Sequence, residues 1–454
     1  MSFGKTFWAC LLAVIVASCV GFIFSIIEIF SIIGILSSSI LPSDQLTTIK
    51  SNSVLKISLR QPISENSNVN PFSMVDFRSL KINRTLDITS VVNAIDEATH
   101  DPRISGIVID VGNGLPVISV DHVYQIRSAL EKFHNDSQKF IVCQGDQYSL
   151  SDYWLGTISD LISVNPSGLL EWIGVSGSMM FYKDALDKLG IEAQIFRAGK
   201  YKSAVEPFMS SEMSEENRAQ NSQLLSTIWN NILTDVSASR KIDVEVLNKY
   251  ADNLDIVTPK DALSKGMVDT LLYKSDFMDY LANLLGVESP KEVSMVNVGD
   301  YARSIVPYGN YNESKIAILF AEGDMVDDGS NPQSCIVGQN LANQIDKLRA
   351  DSTVKAVVLR INSPGGSVMA AATIHNSMKR LKEVKPVVVS MGAYAASGGY
   401  YVSAPADAIV ASPFTITGSI GAFGLVFNVQ KTLKQFLGVN VQSISTNKNS
   451  SISI

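Results

Sequence analysis

The chain has 454 residues, of which 46% are apolar and 18% charged, and 37 basic against 44 acidic residues leave a net charge of −7. This length predicts two or three domains, and the apolar fraction excludes a wholly disordered chain. Nucleic acid is not expected as a partner, because phosphate neutralisation needs clustered lysine and arginine. The four cysteines and four histidines are scattered, so no disulfide framework, metal or cofactor is expected.

The N-terminus carries a long apolar segment. Residues 7–27 contain no charge, and the apolar character continues past Glu28 to residue 36. At about 1.5 Å of rise per residue such a segment crosses a hydrocarbon layer of about 30 Å. We predict a transmembrane anchor at 7–36 that leaves 1–6 in the cytoplasm, since Lys5 precedes it and no Lys or Arg follows before residue 50. The alternative is a signal peptide cleaved near Ser18 and Cys19.

The rest of the chain repeats one pattern of elements. Both copies show an apolar strand, a glycine-containing loop, a helix and a second strand, and from there they run in step 247 positions apart. This order predicts crossover units on a mainly parallel sheet, and therefore an α/β fold. We assign a first repeat to residues 45–290 and a second to 313–454, with a polar linker near 288–312. The matched pairs are Tyr153 with Tyr400, Pro166 with Pro413 and Gly177 with Gly424.

The first repeat has a helical extension over residues 204–286. Ser214 is followed by two glutamates, a pattern typical of an N-cap with acids in the first turn, and Leu224, Ile228, Ile232 and Val236 share one helical face. The second repeat has no counterpart of this extension before residue 454, so we expect it to be C-terminally incomplete.

Two loops in the second repeat have compositions that suit a catalytic site. Residues 362–366 (Asn-Ser-Pro-Gly-Gly) follow a strand, and their glycines permit positive φ angles that aim backbone N–H groups at one point. The alternative is an ordinary strand-to-helix turn. Residues 395–399 (Ala-Ala-Ser-Gly-Gly) place Ser397 at a predicted helix start, as a hydrolase nucleophile requires, although a helix-capping serine fits the same pattern.

A nucleophilic serine needs a base. The nearest histidine in the sequence, His375, lies inside a predicted helix over 370–381, where a surface position is the simpler interpretation. A desolvated lysine can replace histidine, because burial disfavours its charged form. Comparing the repeats indicates which lysine: Ser397 aligns with Leu150, whereas Lys202 aligns with Ser450. The first repeat therefore has the lysine but not the serine, and the second has the serine but not the lysine.

Four motifs, together with the N-terminal segment, resemble the long, two-repeat signal peptide peptidases of the protease IV (SppA) family. They are Tyr201–Pro207, Asn362–Gly366, Ala396–Tyr400 and Thr417–Gly421. The resemblance implies a ClpP/crotonase-like fold in tandem repeats, with Ser397 as nucleophile and Lys202 as general base. It further implies that Ser419 helps to hold the lysine amine and that the N–H groups of Gly398 and of Gly365 or Gly366 donate to the oxyanion.

Lys200 competes with Lys202, since residues two apart share one side of an extended strand. Lys202 is preferred because it lies in the motif and because Lys200 has a counterpart, Lys448, in the second repeat.

The function implied is a membrane-anchored serine endopeptidase that degrades signal peptides and similar apolar peptides on the periplasmic side of the inner membrane, as a homo-oligomer. The alternatives are an inactive or truncated scaffold and an acyl-CoA-handling enzyme of crotonase type. The thioester enzyme would use a carboxylate base rather than a paired serine and lysine.

Overall fold

The computed structural model describes residues 48–58, 63–66, 75–76, 81–82, 86–112, 119–305, 314–329, 335–448 and 450. The segments predicted as the cytoplasmic N-terminus, 1–6, and the anchor, 7–36, lie outside these residues. Within the described ranges, no helix combines the length and apolarity needed to cross a membrane.

The chain divides into two compact units. The smaller unit comprises Met1–Thr48 and Asn70–Asn83, and in it the structure describes Thr48 and one antiparallel pair of short strands, Val75–Asp76 and Lys81–Ile82. The larger unit comprises Ile49–Val69 and Arg84–Ile454, and it contains all the other strands and helices given below.

The described residues form nineteen strands: β1 Ser53–Ile57, β2 Ile63–Ser64, β3 Val75–Asp76, β4 Lys81–Ile82, β5 Leu86–Asp87, β6 Ile104–Val111, β7 Phe140–Tyr148, β8 Leu161–Leu170, β9 Glu192–Arg197, β10 Thr270–Leu271, β11 Ser294–Asn297, β12 Lys315–Glu322, β13 Asp324–Val326, β14 Cys335–Val337, β15 Val354–Ser363, β16 Val387–Ala396, β17 Ala408–Val410, β18 Ile416–Gly418 and β19 Phe423–Asn428.

The same residues form fourteen α-helices: α1 Ile88–His100, α2 Val120–Ser137, α3 Leu150–Gly156, α4 Lys183–Leu189, α5 Glu206–Met209, α6 Glu215–Arg240, α7 Val244–Asp252, α8 Pro259–Ser264, α9 Lys274–Leu285, α10 Val298–Ser304, α11 Gly338–Ala350, α12 Val368–Lys382, α13 Gly398–Ser403 and α14 Gln430–Leu437. Two 3₁₀ turns lie at Ser203–Val205 and Pro290–Glu292.

The first repeat is built on a six-stranded sheet in the order β10-β8-β7-β6-β1-β11, and every neighbouring pair is parallel. The apolar residues of its central strands are divided between two buried clusters, as in other parallel sheets that are covered on both faces. Ile107, for example, pairs with Leu55 and Ile141, and all three are fully buried. The prediction of crossover units is confirmed here.

The second repeat forms a parallel sheet in the order β12-β15-β16-β17, and β18 pairs with the far end of β16. Its strands end at the two glycine-containing loops singled out in the sequence: β15 leads through Pro364 to α12, and β16 leads through Ser397 to α13. The carboxyl ends of parallel strands lie at one sheet edge, so this topology brings the two loops together.

One expectation from the sequence is wrong and another is confirmed. The predicted linker at 288–312 is wrong for its first half, because β11 pairs with β1 at the edge of the first sheet and α10 packs on α1 and β1. β11 has four residues of mixed polarity and therefore little hydrophobic periodicity, which is why the sequence did not predict this strand. The helical extension is confirmed: α6 starts after Ser214, whose hydroxyl accepts the Asn217 N–H, and it buries Ile232 and Val236.

One pairing joins the repeats directly. Strand β9 of the first repeat and β19 of the second form an antiparallel two-stranded ribbon, with Ile195 opposite Leu425 and Arg197 opposite Phe423. The ribbon continues one residue further through an Ala198 N–H to Ala422 carbonyl bond of 3.2 Å. It therefore fixes the segment after β9 against the segment before β19.

Candidate active site

Ser397 stands at a sharp turn between β16 and α13. Its backbone has φ 53° and ψ −114°, a left-handed conformation that is unfavourable for any residue with a side chain. The turn is held by the Ser397 N–H, which donates to the Gly418 carbonyl at 2.8 Å, and by the Tyr401 N–H, which donates to the Ser397 carbonyl. This is the strand-to-helix elbow that exposes a nucleophile, and it confirms the predicted helix start.

Gly365 makes this elbow sterically possible. A Cβ at Gly365, where φ is +102°, would lie 2.8 Å from Ser397 Cβ and 2.6 Å from Gly398 N. Any side chain there would push Ser397 away, so the glycine loop (residues 362–366) and the serine loop (residues 395–399) are packed backbone to backbone.

Lys202 reaches Ser397 from the first repeat. It follows the ribbon strand β9 by five residues and occupies a turn in which its N–H donates to the Gly199 carbonyl. Gly421 packs closely against this segment. A Cβ there would lie 2.8 Å from the Ala198 carbonyl oxygen, which is too close, and 3.5 Å from Lys202 Cγ and Cδ, which is ordinary contact. The side chain is 3% exposed.

The lysine amine has three oxygen partners. Lys202 Nζ lies 2.9 Å from Ser397 Oγ, 2.7 Å from the Ser419 carbonyl oxygen and 3.1 Å from Ser419 Oγ. The centroid of the Phe423 ring lies 6.0 Å from the amine. All three residues assigned catalytic roles by resemblance therefore meet at one nitrogen atom.

Burial lowers the pKa of Lys202, because desolvation disfavours the ammonium form. Its three partners are neutral, so the local contacts supply no carboxylate to oppose this effect. A neutral amine within hydrogen-bond distance of a serine hydroxyl is the state that can accept its proton.

The glycine loop offers a narrower choice of oxyanion donors than the sequence suggested. The Gly365 N–H donates to Ser363 Oγ at 3.1 Å and is therefore engaged within the loop. The Gly398 N–H opens α13, where the first N–H groups have no intrahelical acceptor. Gly366 has φ +145° and packs against Met325. Because the Gly365 N–H is engaged, the N–H groups of Gly366 and Gly398 are the better candidates for oxyanion donors.

The alternatives raised from the sequence lie elsewhere. Lys200 does not share a strand face with Lys202, because Gly199–Lys202 is a turn; its side chain is 84% exposed and lies 3.9 Å from Glu216. His375 lies on α12, as predicted, and stacks on Tyr401 with ring centroids 4.3 Å apart.

Sequence reasoning missed the part played by Glu206. This carboxylate is 1% exposed; it accepts from Ser214 Oγ at 2.6 Å and Asn217 Nδ2 at 2.8 Å, and it lies 3.4 Å from Arg197 Nη1. Burial raises the pKa of Glu206, but these hydrogen bonds outweigh it and hold the pKa below the usual value. Glu206 thereby ties the lysine turn to β9 and α6, and its place in the lysine motif was the available signal.

A serine at a strand-to-helix turn, with its hydroxyl 2.9 Å from a buried lysine amine, has the geometry of the Ser-Lys variant of the hydrolase triad. Residues 134–288 and 379–454 match the model of peptidase family S49, and residues 329–412 match the Clp protease model. The chain belongs to peptidase family S49.

Three relatives illustrate this membership. Protease 4 of Haemophilus influenzae is 35% identical over 80% of this chain and 60% of its own length, and Protease 4 of Salmonella typhi is 38% identical over 80% and 59%. The chloroplastic serine protease SPPA of Arabidopsis thaliana is 31% identical over 88% of this chain and 58% of its own. The chain thus spans about three fifths of the length of the curated relatives it matches.

Proposed function

We propose that this chain is a serine endopeptidase in which Ser397 is the nucleophile and Lys202 the general base. The observation that carries the proposal is the 2.9 Å contact between Lys202 Nζ and Ser397 Oγ, made by a buried amine whose pKa is lowered. Membership of peptidase family S49 supports the same reaction class.

In the proposed reaction the neutral amine of Lys202 takes the Ser397 proton while Oγ bonds to the peptide carbonyl carbon. The N–H groups of Gly398 and Gly366 stabilise the oxyanion, a contribution of about 3–4 kcal/mol per donor in other hydrolases. The C–N bond then breaks as the lysine returns the proton to the leaving amine. Water, deprotonated by the same lysine, hydrolyses the acyl-enzyme and restores Ser397.

The proposed substrates are cleaved signal peptides and similar apolar peptides. Exposed apolar side chains flank the reacting pair and support this class: Ile420 is 72% exposed, Tyr201 59% and Phe423 48%. We further propose that residues 7–36 anchor a homo-oligomer on the periplasmic side of the inner membrane. Membrane fractionation and cross-linking test these two points independently of activity.

The catalytic proposal is tested with a fluorophosphonate probe and a fluorogenic apolar peptide. The unaltered chain should label and cleave, whereas Ser397→Ala and Lys202→Ala should each lose at least about 10²-fold in rate. Lys200→Ala is the matched control, since this lysine lies two residues away but is exposed, and it should keep full activity. Labelling or cleavage near the normal rate in either dyad variant would refute the assignment.

A further inference from the structure

A buried cluster of charged side chains connects the two repeats beneath the proposed centre. Glu65 and His122 come from the first repeat and are 1% and 3% exposed. Arg360 comes from β15 of the second repeat, with a side chain that is 14% exposed. Burying charges is unfavourable unless they are paired with good geometry, so such a cluster must be held by specific contacts.

Glu65 supplies those contacts with both carboxylate oxygens. Oε1 lies 3.0 Å from His122 Nε2, and Oε2 accepts from Arg360 Nε at 2.8 Å. Burial raises the pKa of Glu65, but hydrogen bonds from His122 and Arg360 outweigh it, and the pKa lies below its usual value. Glu65 is therefore an ionised partner of the buried guanidinium and makes the shorter of its two ion pairs, since Asp121 Oδ2 lies 3.8 Å from Arg360 Nη2.

Arg360 in turn links β15 to β16, the two strands that lead to the proposed centre. Its Nη1 donates to Ser390 Oγ and to the Met391 carbonyl, both at 3.0 Å. Arg360 precedes the glycine loop on β15, and Ser390 and Met391 precede Ser397 on β16. These contacts lie just before the point where the register between β15 and β16 shifts, between Ile361 and Ser363.

The Glu65 carboxylate also packs directly on β16 at this register shift. A Cβ at Gly392 of β16 would lie 2.6 Å from Glu65 Oε1 and 3.1 Å from Asn362 Cβ, so only glycine lets the carboxylate approach the strand. Asn362, the first residue of the glycine loop, accepts the Tyr394 N–H of β16 at 3.0 Å. Glu65 thus contacts both strands, through Arg360 of β15 and Gly392 of β16, next to the point where their register shifts.

We propose that Glu65 is a positioning residue: through Arg360 and Gly392 it sets the spacing between the glycine loop and Ser397. The first repeat then contributes to the reaction twice, with Lys202 beside the serine and Glu65 beneath it. The proposal rests on the proposed peptidase function for its kinetic consequence, but its structural consequence is independent of activity.

The test compares Glu65→Ala and Glu65→Gln in the full 454-residue chain. Alanine removes the contacts of Glu65 with Arg360 and with His122. A misplacement of up to about 1 Å at the proposed centre should lower kcat for a fluorogenic peptide about 10- to 100-fold, while KM changes less than about threefold. Glutamine keeps an acceptor for Arg360 and a polar contact for His122, and it should recover kcat to within about fivefold of the unaltered chain. Amide hydrogen exchange should accelerate at 362–367 and 392–398 in the alanine variant.

Asp235→Asn is the matched control, because this carboxylate binds Trp154 Nε1 at 2.9 Å and lies 3.7 Å from Arg127 within the first repeat alone. It should lower thermal stability without changing kcat or exchange at the two loops. If Glu65→Ala does not fold, Arg360→Lys replaces it, since lysine keeps the charge but cannot bind Glu65 and both β16 acceptors together.

Unchanged amide hydrogen exchange at 362–367 and 392–398 in Glu65→Ala or Arg360→Lys would overturn the proposal. An equal loss of kcat in Asp235→Asn, or a loss that Glu65→Gln does not recover, would also overturn it. An unaltered chain that neither cleaves nor labels would refute the peptidase function instead, and the exchange measurement would still decide the role of Glu65.

Discussion

Gly365→Ala tests whether the elbow geometry sets the reaction rate. The added Cβ would lie 2.8 Å from Ser397 Cβ and 2.6 Å from Gly398 N. Restoring an ordinary separation of about 3.5 Å requires the serine loop to retreat by about 0.7–0.9 Å. Since a misplacement of about 1 Å reduces rates about 10²-fold, we expect kcat/KM for a fluorogenic peptide to fall about 30- to 100-fold.

The same substitution also strains the backbone, because φ at Gly365 is +102°, and strain of this kind costs roughly 1–3 kcal/mol. Gly174→Ala separates the two effects: Gly174 has φ +80° but no atom within 4 Å of an added Cβ. Urea unfolding should show a similar loss of stability in both variants, with activity lost only in Gly365→Ala. Near-normal kcat/KM in a folded Gly365→Ala chain would show that contact between the two loops does not position Ser397.

Three further predictions concern the lysine and its surroundings. The pKa of Lys202 is lowered and only its neutral form accepts a proton, so peptidase activity should rise with pH, with a midpoint below the ordinary lysine pKa of about 10.4. Lys202→Arg has no neutral form and should be inactive at every pH measured. Ser419→Ala removes one of three acceptors but leaves the carbonyl, so its kcat should fall less than that of Lys202→Ala when both are assayed together. Glu206→Ala leaves buried partners unsatisfied and should lower the free energy of unfolding by about 1–3 kcal/mol in urea titrations, whereas an unchanged value would show that the cluster does not hold the lysine turn.

Local patterns were sufficient for the serine side of the site. The apolar run of β16 followed by small residues predicts a strand, a sharp turn and a helix, and all three occur around Ser397. The lysine side was not accessible in this way, because Lys202 lies in a turn whose position depends on β9 pairing with β19, far along the chain. Only comparison of the repeats and the family motif favoured Lys202 over Lys200.

The buried charges beneath the site were also beyond sequence reasoning. Arg360 interrupts an apolar strand, and an isolated charge in such a pattern is usually exposed. Its partner Glu65 is 295 residues away, and no periodicity connects positions in different repeats. A long-range ion pair of this kind becomes visible only once both sheets have been placed.

The separation of the reacting residues has a consequence for synthesis of the protein. Lys202 and its acceptor Ser419 are 217 residues apart in the chain. At about 5–20 residues per second, the ribosome adds the second roughly 10–40 s after the first. During that interval the nascent chain has the Lys202 amine without the Ser419 oxygen atoms that accept from it. The full set of hydrogen bonds at this amine can therefore form only after both repeats have been synthesised as far as Ser419.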